Sequence, residues 1–289
     1  MNGARMTFLG TGTSQGVPMI GCECDVCTSE DSRDKRLRAS VFVEYCGLSI
    51  LVDAGPDFRQ QMLRSGITHI DAILLTHNHK DHTGGLDDVR SFNLLEHKPV
   101  NIWCQPYVIE SLKREYSYAF AEPRYPGAPE WHVHAIEDTS KPFTIKSNML
   151  EDTLVWQSGI GYYKIPPSFM GEELPSAEVL PIQAWHHKKK ELSVLGYRFG
   201  NIAYLTDINS IDDCEIEKLK GVEYVTINCV KRTSHYSHFS LQEALDFFDK
   251  VGARESYITH ISHLLPPHAE LEKELPPHVH LAYDGLVLE

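Results

Sequence analysis

Four side chains able to hold a transition metal lie within six residues, His77-x-His79-x-Asp81-His82, and Thr83-Gly84-Gly85 follow directly. Neutral imidazole and carboxylate are the usual ligand set for zinc, manganese or iron. On one turn these groups can face a single cavity, and the glycines allow the backbone to fold tightly beneath them. A second cluster, Gly21-Cys22-Glu23-Cys24-Asp25-Val26-Cys27, has Cys-x-Cys-x-x-Cys spacing. Three soft thiolates need one more ligand to close a tetrahedral zinc site, so these cysteines read as a metal clip. Of the 16 histidines, His69, His97, His132, His134, His268, His278 and His280 stand outside any such group and receive no role.

Ligands of this kind are presented by strand ends. Residues 6–9 read as a first strand, followed by a Gly-, Cys- and charge-rich loop to about Arg38. Residues 40–45 and 48–53 form a hairpin around Cys46-Gly47. A helix over 57–65 stops at Gly66, and strand 72–75 delivers the chain into the His77 cluster. Helix 86–95, strand 100–104 and helix 106–116 follow. Residues 121–131 carry Pro123, Pro126 and Pro129, and 146–177 is aromatic and irregular, so both read as loops or an inserted lid. Strands return at 179–185, 196–198, 202–206 and 224–227, then an amphipathic helix at 241–251 and strands at 256–259 and 280–288. This order predicts an α/β chain of the αββα kind, two sheets flanked by helices, rather than an alternating parallel-sheet pattern. Residues 1–289 are expected to form one domain with a lid at about 146–177.

The balance of 27 basic against 40 acidic residues gives a formal charge of -13, which repels nucleic-acid backbones. A small anionic substrate is expected, and no nucleic-acid polymer. Apolar runs are too short to cross a bilayer, and residues 1–5 precede no signal-peptide core, so no membrane association and a cytoplasmic location are expected. The remaining cysteines, Cys46, Cys104, Cys214 and Cys229, are scattered, which reads as buried thiols and not as a disulfide framework.

The His-x-His-x-Asp-His run after a hydrophobic strand resembles the signature of the metallo-β-lactamase superfamily. Leu51-Val52-Asp53-Ala54-Gly55 is similar to its first motif, whose aspartate supports the ligand loop. Strand 202–206 ending in Asp207 resembles the bridging carboxylate, and Tyr257-Ile258-Thr259 ending in His260 resembles the last ligand. His186 and His187 both stand where the remaining ligand is expected. The 21 residues to Asp207 favour His186, and strand alternation lets only one of the pair face the metals. The resemblance thus implies two divalent ions (Mn, Zn or Fe), one held by His77, His79 and His186, the other by Asp81, His82 and His260, with Asp207 bridging. Two such cations, less two aspartates and a hydroxide, leave the site with a charge of about +1, suited to a phosphodiester.

Within the superfamily, the cysteine clip resembles that of the phosphoribosyl 1,2-cyclic phosphate phosphodiesterases, the PhnP-like branch. There His263 matches the fourth ligand of one structural zinc with Cys22, Cys24 and Cys27. Residues 8–18, Phe-Leu-Gly-Thr-Gly-Thr-Ser-Gln-Gly-Val-Pro, resemble the opening of that branch, and Thr11, Thr13 and Ser14 are candidates to meet phosphate. His238 lies 22 residues before His260, as the general acid does in those enzymes, with His235 as second choice. Asp81 counts with His238 among the catalytic residues.

The implied reaction is hydrolysis of a small cyclic, ribosyl or nucleotide phosphodiester by a hydroxide on the metals, with the histidine as acid. The alternatives are a tRNA 3′-processing endonuclease, a lactamase or thioesterase on the same core, and a non-catalytic metal-binding accessory protein. Residues 146–177 and the stretch from His186 to Leu192 are extra relative to the branch. Trp156, Tyr162, Tyr163 and Phe169 are candidates for an aromatic lid, and Lys188, Lys189 and Lys190 for a solvated basic loop. Relatives of this kind are often dimers, so a homodimer is an option for this chain.

Overall fold

The structure is a computed structural model that describes residues 3–147, 153–157, 161–165 and 174–289, with side chains for 3–147 and 174–289. One seven-stranded sheet runs β17 (Val287–Leu288), β1 (Arg5–Gly10), β2 (Ser40–Tyr45), β3 (Leu48–Val52), β4 (Ala72–Leu74), β5 (Val100–Cys104), β6 (Trp131–Ala135). Its pairs are antiparallel from β17 to β3 and parallel from β3 to β6. The second sheet runs β13 (Ser210–Ile211), β10 (Ser176–Trp185), β11 (Ser193–Phe199), β12 (Ile202–Tyr204), β14 (Tyr224–Asn228), β15 (Glu255–Thr259), β16 (Val279–Leu281), with β7 (Phe143–Lys146) beside β10. It too is mixed, antiparallel as far as β12 and parallel beyond. The strands β8 (Thr153–Gln157) and β9 (Gly161–Ile165) form a separate antiparallel hairpin.

Alternation along the strands explains why the sheets stack. Val41, Val43, Ile50, Val52, Ala72 and Leu74 face inward and meet Leu195, Tyr197, Phe199, Ile202 and Tyr204 from the other sheet. The residues between them, Phe42, Leu51 and Ile73, face outward into a core shared with the helices α2 (Phe58–Ser65), α4 (Arg90–Glu96) and α5 (Pro106–Glu115). Likewise Val194, Ala203 and Leu205 face out towards α6 (Asp213–Glu217), α7 (Leu241–Val251) and α8 (His268–Leu271). The product is the expected α/β arrangement of two mixed sheets between helical layers. No helix among the described residues is long and apolar enough to cross a membrane.

Several sequence expectations are corrected in detail. The helix expected at 86–95 is a 3-10 turn at Leu86–Val89 followed by α4. Residues 131–135 and 143–146, expected in or near loops, are the strands β6 and β7, and β10 begins three residues earlier than expected. Part of the stretch expected to be loop or lid is the hairpin β8–β9. Strand 280–288 is two strands, because Gly285 at φ 97 turns the chain between them. Trp156, Tyr162 and Tyr163 fall on β8–β9 with side chains outside the described residues, and Phe169 lies outside them altogether.

Candidate metal centre

Strand ends from both sheets converge on one cavity of about 420 Å³ lined in part by His79, Asp81, His186, Asp207, His238 and His260. The loop after β4 carries His77 and, through the short helix α3 (Lys80–Thr83), Asp81 and His82. It is seated tightly: a Cβ on Gly55 would lie 2.0 Å from the Asp81 carbonyl oxygen, and one on Gly85 2.1 Å from the Gly55 carbonyl oxygen. Only glycine permits that approach. Asp53, Asp207 and His260, each just past a strand end, have φ of 63°, 57° and 51°. Non-glycine residues hold this left-handed geometry only where their surroundings impose it. At Asp207 the clamp is Asn228, buried on β14, whose amide accepts from the Ile208 N–H at 2.8 Å and donates to the Ile208 carbonyl at 2.9 Å.

Three of the imidazoles, His77, His82 and His186, are aimed by a bond to the rear nitrogen. Asp53 Oδ2 lies 2.6 Å from His82 Nδ1, and the same carboxylate accepts the Thr76 N–H at 2.9 Å and the Thr76 hydroxyl. Thr76 Oγ1 is 2.9 Å from His77 Nδ1, and the Asp207 carbonyl oxygen is 2.6 Å from His186 Nδ1. The opposite nitrogens are thereby turned into the cavity, the arrangement that fixes tautomer and direction in metal-binding histidines. The rings of His77, His79 and His186 stand 4.5, 5.0 and 5.5 Å apart. Asp81, His82, Asp207 and His260 form a second group whose ligand atoms all lie within 4.8 Å of one another.

The residues fit a pair of cations. His77 Nε2, His82 Nε2 and His260 Nδ1 are buried without a hydrogen-bond partner, a costly state for polar atoms in a native fold. His82 Nε2 is 3.1 Å and His260 Nδ1 3.0 Å from Asp207 Oδ2, near in distance but not in hydrogen-bond geometry, as groups arranged about a shared centre would be. Burial pushes His77 well below the usual histidine range, towards the neutral form that offers a lone pair. Burial opposes charge on His82 also, yet Asp207, Asp81 and Asp53 together hold it well above that range, which marks a place that favours positive charge.

His186 and His187 part company. The first faces the cavity and is buried, while the ring of the second lies over Tyr236 at 5.9 Å and 15°. His238 also borders the centre: its Nε2 is 3.0 Å from Asp207 Oδ1, and it groups with His186 and Asp207 as a possible ligand. Ser237 Oγ, at 3.0 Å, holds its Nδ1, and His235 Nδ1 is 3.2 Å away. Lys188 and Lys190 are ion-paired at 2.7 Å to Glu243 and 2.5 Å to Asp212.

The loop after β1, with its short helix α1 (Asp25–Thr28), brings Cys22, Cys24 and Cys27 to His263 beyond β15, and the four place their ligand atoms within 4.8 Å of one another. Two thiols point at one nitrogen, with Cys22 Sγ 3.3 Å and Cys24 Sγ 3.5 Å from His263 Nδ1. A backbone N–H and His263 hold the Cys24 thiol down to about 6, so thiolate is available there near neutrality. Burial pushes the Cys27 thiol up to about 11.

Sequence reasoning missed Asn228, and Asn209, whose amide donates to the carbonyls of His235 at 3.0 Å and His238 at 2.6 Å and so shapes that loop. Neither asparagine carries a local signal, since each acts on backbone groups distant in sequence. Thr76 had one, as the residue joining the strand to the ligand run.

Residues 49–261 match the family described as the beta-lactamase superfamily domain. A crystal structure of a new diphosphatase from the PhnP family is similar to this chain at 36% identity, with a TM-score of 0.80 and 99% of this chain and 98% of that one covered. An octanoyltransferase of Porphyromonas gingivalis is 37% identical over 284 residues, which are 98% of this chain and 51% of that protein. The chain thus spans about half the length of that relative. Zinc-bound PqqB from Methylobacterium extorquens, at 16% identity and a TM-score of 0.69 with 99% of both chains covered, shares the fold. The chain belongs to the β-lactamase superfamily, has the metallo-β-lactamase fold and is of the PhnP-like kind.

Proposed function

We propose that the chain is a dinuclear metal-dependent phosphodiesterase acting on a small cyclic, ribosyl or nucleotide diester. The observation that carries this is the convergence of His77, His79, Asp81, His82, His186, Asp207 and His260 on one cavity, with buried, unpartnered nitrogens on three of them. Two divalent ions (Mn, Zn or Fe) bound there supply Lewis-acid polarisation of a phosphoryl oxygen and acidify water. His77, His79 and His186 would hold one, Asp81, His82 and His260 the other, and Asp207 would serve both. The chain's own groups then orient the diester. The Thr13-Ser14-Gln15 segment lines the same cavity and offers hydroxyl and amide donors to phosphate. His238, held by Ser237 and Asp207, passes its Nε2 proton to the departing oxygen. One structural zinc held by Cys22, Cys24, Cys27 and His263 ties the N-terminal loop to the end of β15.

The name of the PhnP-family relative, a diphosphatase, supports cleavage at phosphorus. A thioester reading is the second, favoured by the octanoyltransferase name of the Porphyromonas gingivalis relative. A metal-reconstituted assay against 1,2- and 2′,3′-cyclic phosphates, linear diesters and thioesters in parallel separates them. Turnover of a diester with none of the thioester supports the first reading, and the reverse overturns it.

A further inference from the structure

The cavity has a feature that metal binding does not use. Tyr236, on its rim, is 74% exposed, although large aromatic rings are usually covered. Two imidazoles flank it, His187 with its ring 5.9 Å away at 15° and His235 with its ring 4.7 Å away at 34°, and most of the tyrosine remains exposed. His187 is in turn 4.9 Å from the ring of His186. The three rings form a succession leading from the metal-facing His186 outwards to an exposed flat surface. Leu264, 62% exposed, lines the same cavity and extends the apolar rim. At about 420 Å³ the space falls within the roughly 300–1,000 Å³ of small-molecule sites and exceeds what a phosphate group alone would fill.

We infer that Tyr236, supported by His187, is a stacking platform for the flat ring of the substrate, so that the diester taken is one bearing a nucleobase rather than a bare sugar phosphate. The inference rests on the phosphodiesterase reading. With phosphorus beside His186 and Asp207, a ribose spans the step to Tyr236 and leaves the base against the exposed part of its ring. Aromatic stacking is tolerant of base identity because every base has a π face, so purine and pyrimidine are both accepted. Tyr236 is a specificity residue in this account and takes no part in proton transfer.

The test compares the metal-loaded wild type with Tyr236→Ala and Tyr236→Phe. Calorimetric binding of AMP and of ribose 5-phosphate is measured alongside KM and kcat for 2′,3′-cyclic AMP and for a base-free methyl riboside 2′,3′-cyclic phosphate. Loss of the ring should weaken AMP binding and raise KM for the cyclic nucleotide about tenfold. The base-free ligands and kcat should be unaffected, and Tyr236→Phe should behave as wild type. Equal effects on both ligand types, unchanged AMP affinity in Tyr236→Ala, or no AMP binding by the wild type would each overturn the platform. Failure of the wild type to turn over either diester counts against the phosphodiesterase reading instead, since the binding comparison still judges Tyr236.

Discussion

Replacing Asp53 by asparagine keeps the shape of the side chain but removes one acceptor. In the native site Oδ1 accepts the Thr76 N–H at 2.9 Å, while Oδ2 lies 2.6 Å from His82 Nδ1, and both Asp53 and His82 are fully buried. The amide oxygen of Asp53→Asn can serve only one of those positions. If it keeps the backbone bond, the amide NH2 confronts His82 Nδ1, which must become the acceptor, and the ring proton moves to Nε2. That nitrogen is the one turned towards Asp81 and Asp207 and needed as a lone pair. Disturbing the group behind a metal-binding histidine typically weakens metal affinity by about 10- to 100-fold, or roughly 1.4 to 2.8 kcal/mol. Competition against a graded series of chelators, read by elemental analysis of the recovered protein, measures this directly. Wild-type affinity in Asp53→Asn, with the fold intact by circular dichroism, would refute the idea that Asp53 sets the His82 tautomer.

Three further outcomes are expected. His238→Ala should slow hydrolysis of diesters with alkyl leaving groups by about 10²- to 10⁴-fold and of nitrophenyl esters far less; equal losses would remove His238 from proton transfer and favour the ligand position that its contact with Asp207 also permits. Cys24→Ser should lower the metal content by one zinc per chain and leave the active-site ions in place, as read by elemental analysis with thiol titration; an unchanged count would contradict the clip. The carboxylates of Asp71 and Glu96, 3.2 and 2.8 Å from its two ring nitrogens, raise His69 from 6.5 to about 9, so its folded value exceeds the unfolded one. The stabilisation is therefore complete below about pH 6.5 and fades as pH rises through about 9, and for this partly exposed group it amounts to about 1 kcal/mol. The Tm difference between wild type and His69→Gln should shrink across that interval; a difference that grows with pH would contradict the assignment.

Much of this architecture is legible in the chain because its causes are local. The hairpin around Cys46-Gly47 and the helix at Leu241–Val251 follow from alternation and helical spacing within a few residues. The His77 run and the cysteine clip stand out because their ligands are close in sequence. His186 could be set against His187 because strand geometry sends neighbours apart. What escaped depends on distant partners. β6 and β7 are short edge segments after a proline-rich loop, recognisable only from the strands they join. Asn228 and Asn209 shape the site through backbone groups elsewhere in the chain, and nothing beside them in sequence announces it. Tyr236 looks like one more loop residue until His187 is found beneath its ring.

Anomalous X-ray scattering from crystals of the metal-loaded protein tests the central claim most directly. Two peaks should appear in the cavity, with Asp207 in contact with both, His77, His79 and His186 around one, and Asp81, His82 and His260 around the other. A single peak there, none, or a pair held by other residues would contradict the account.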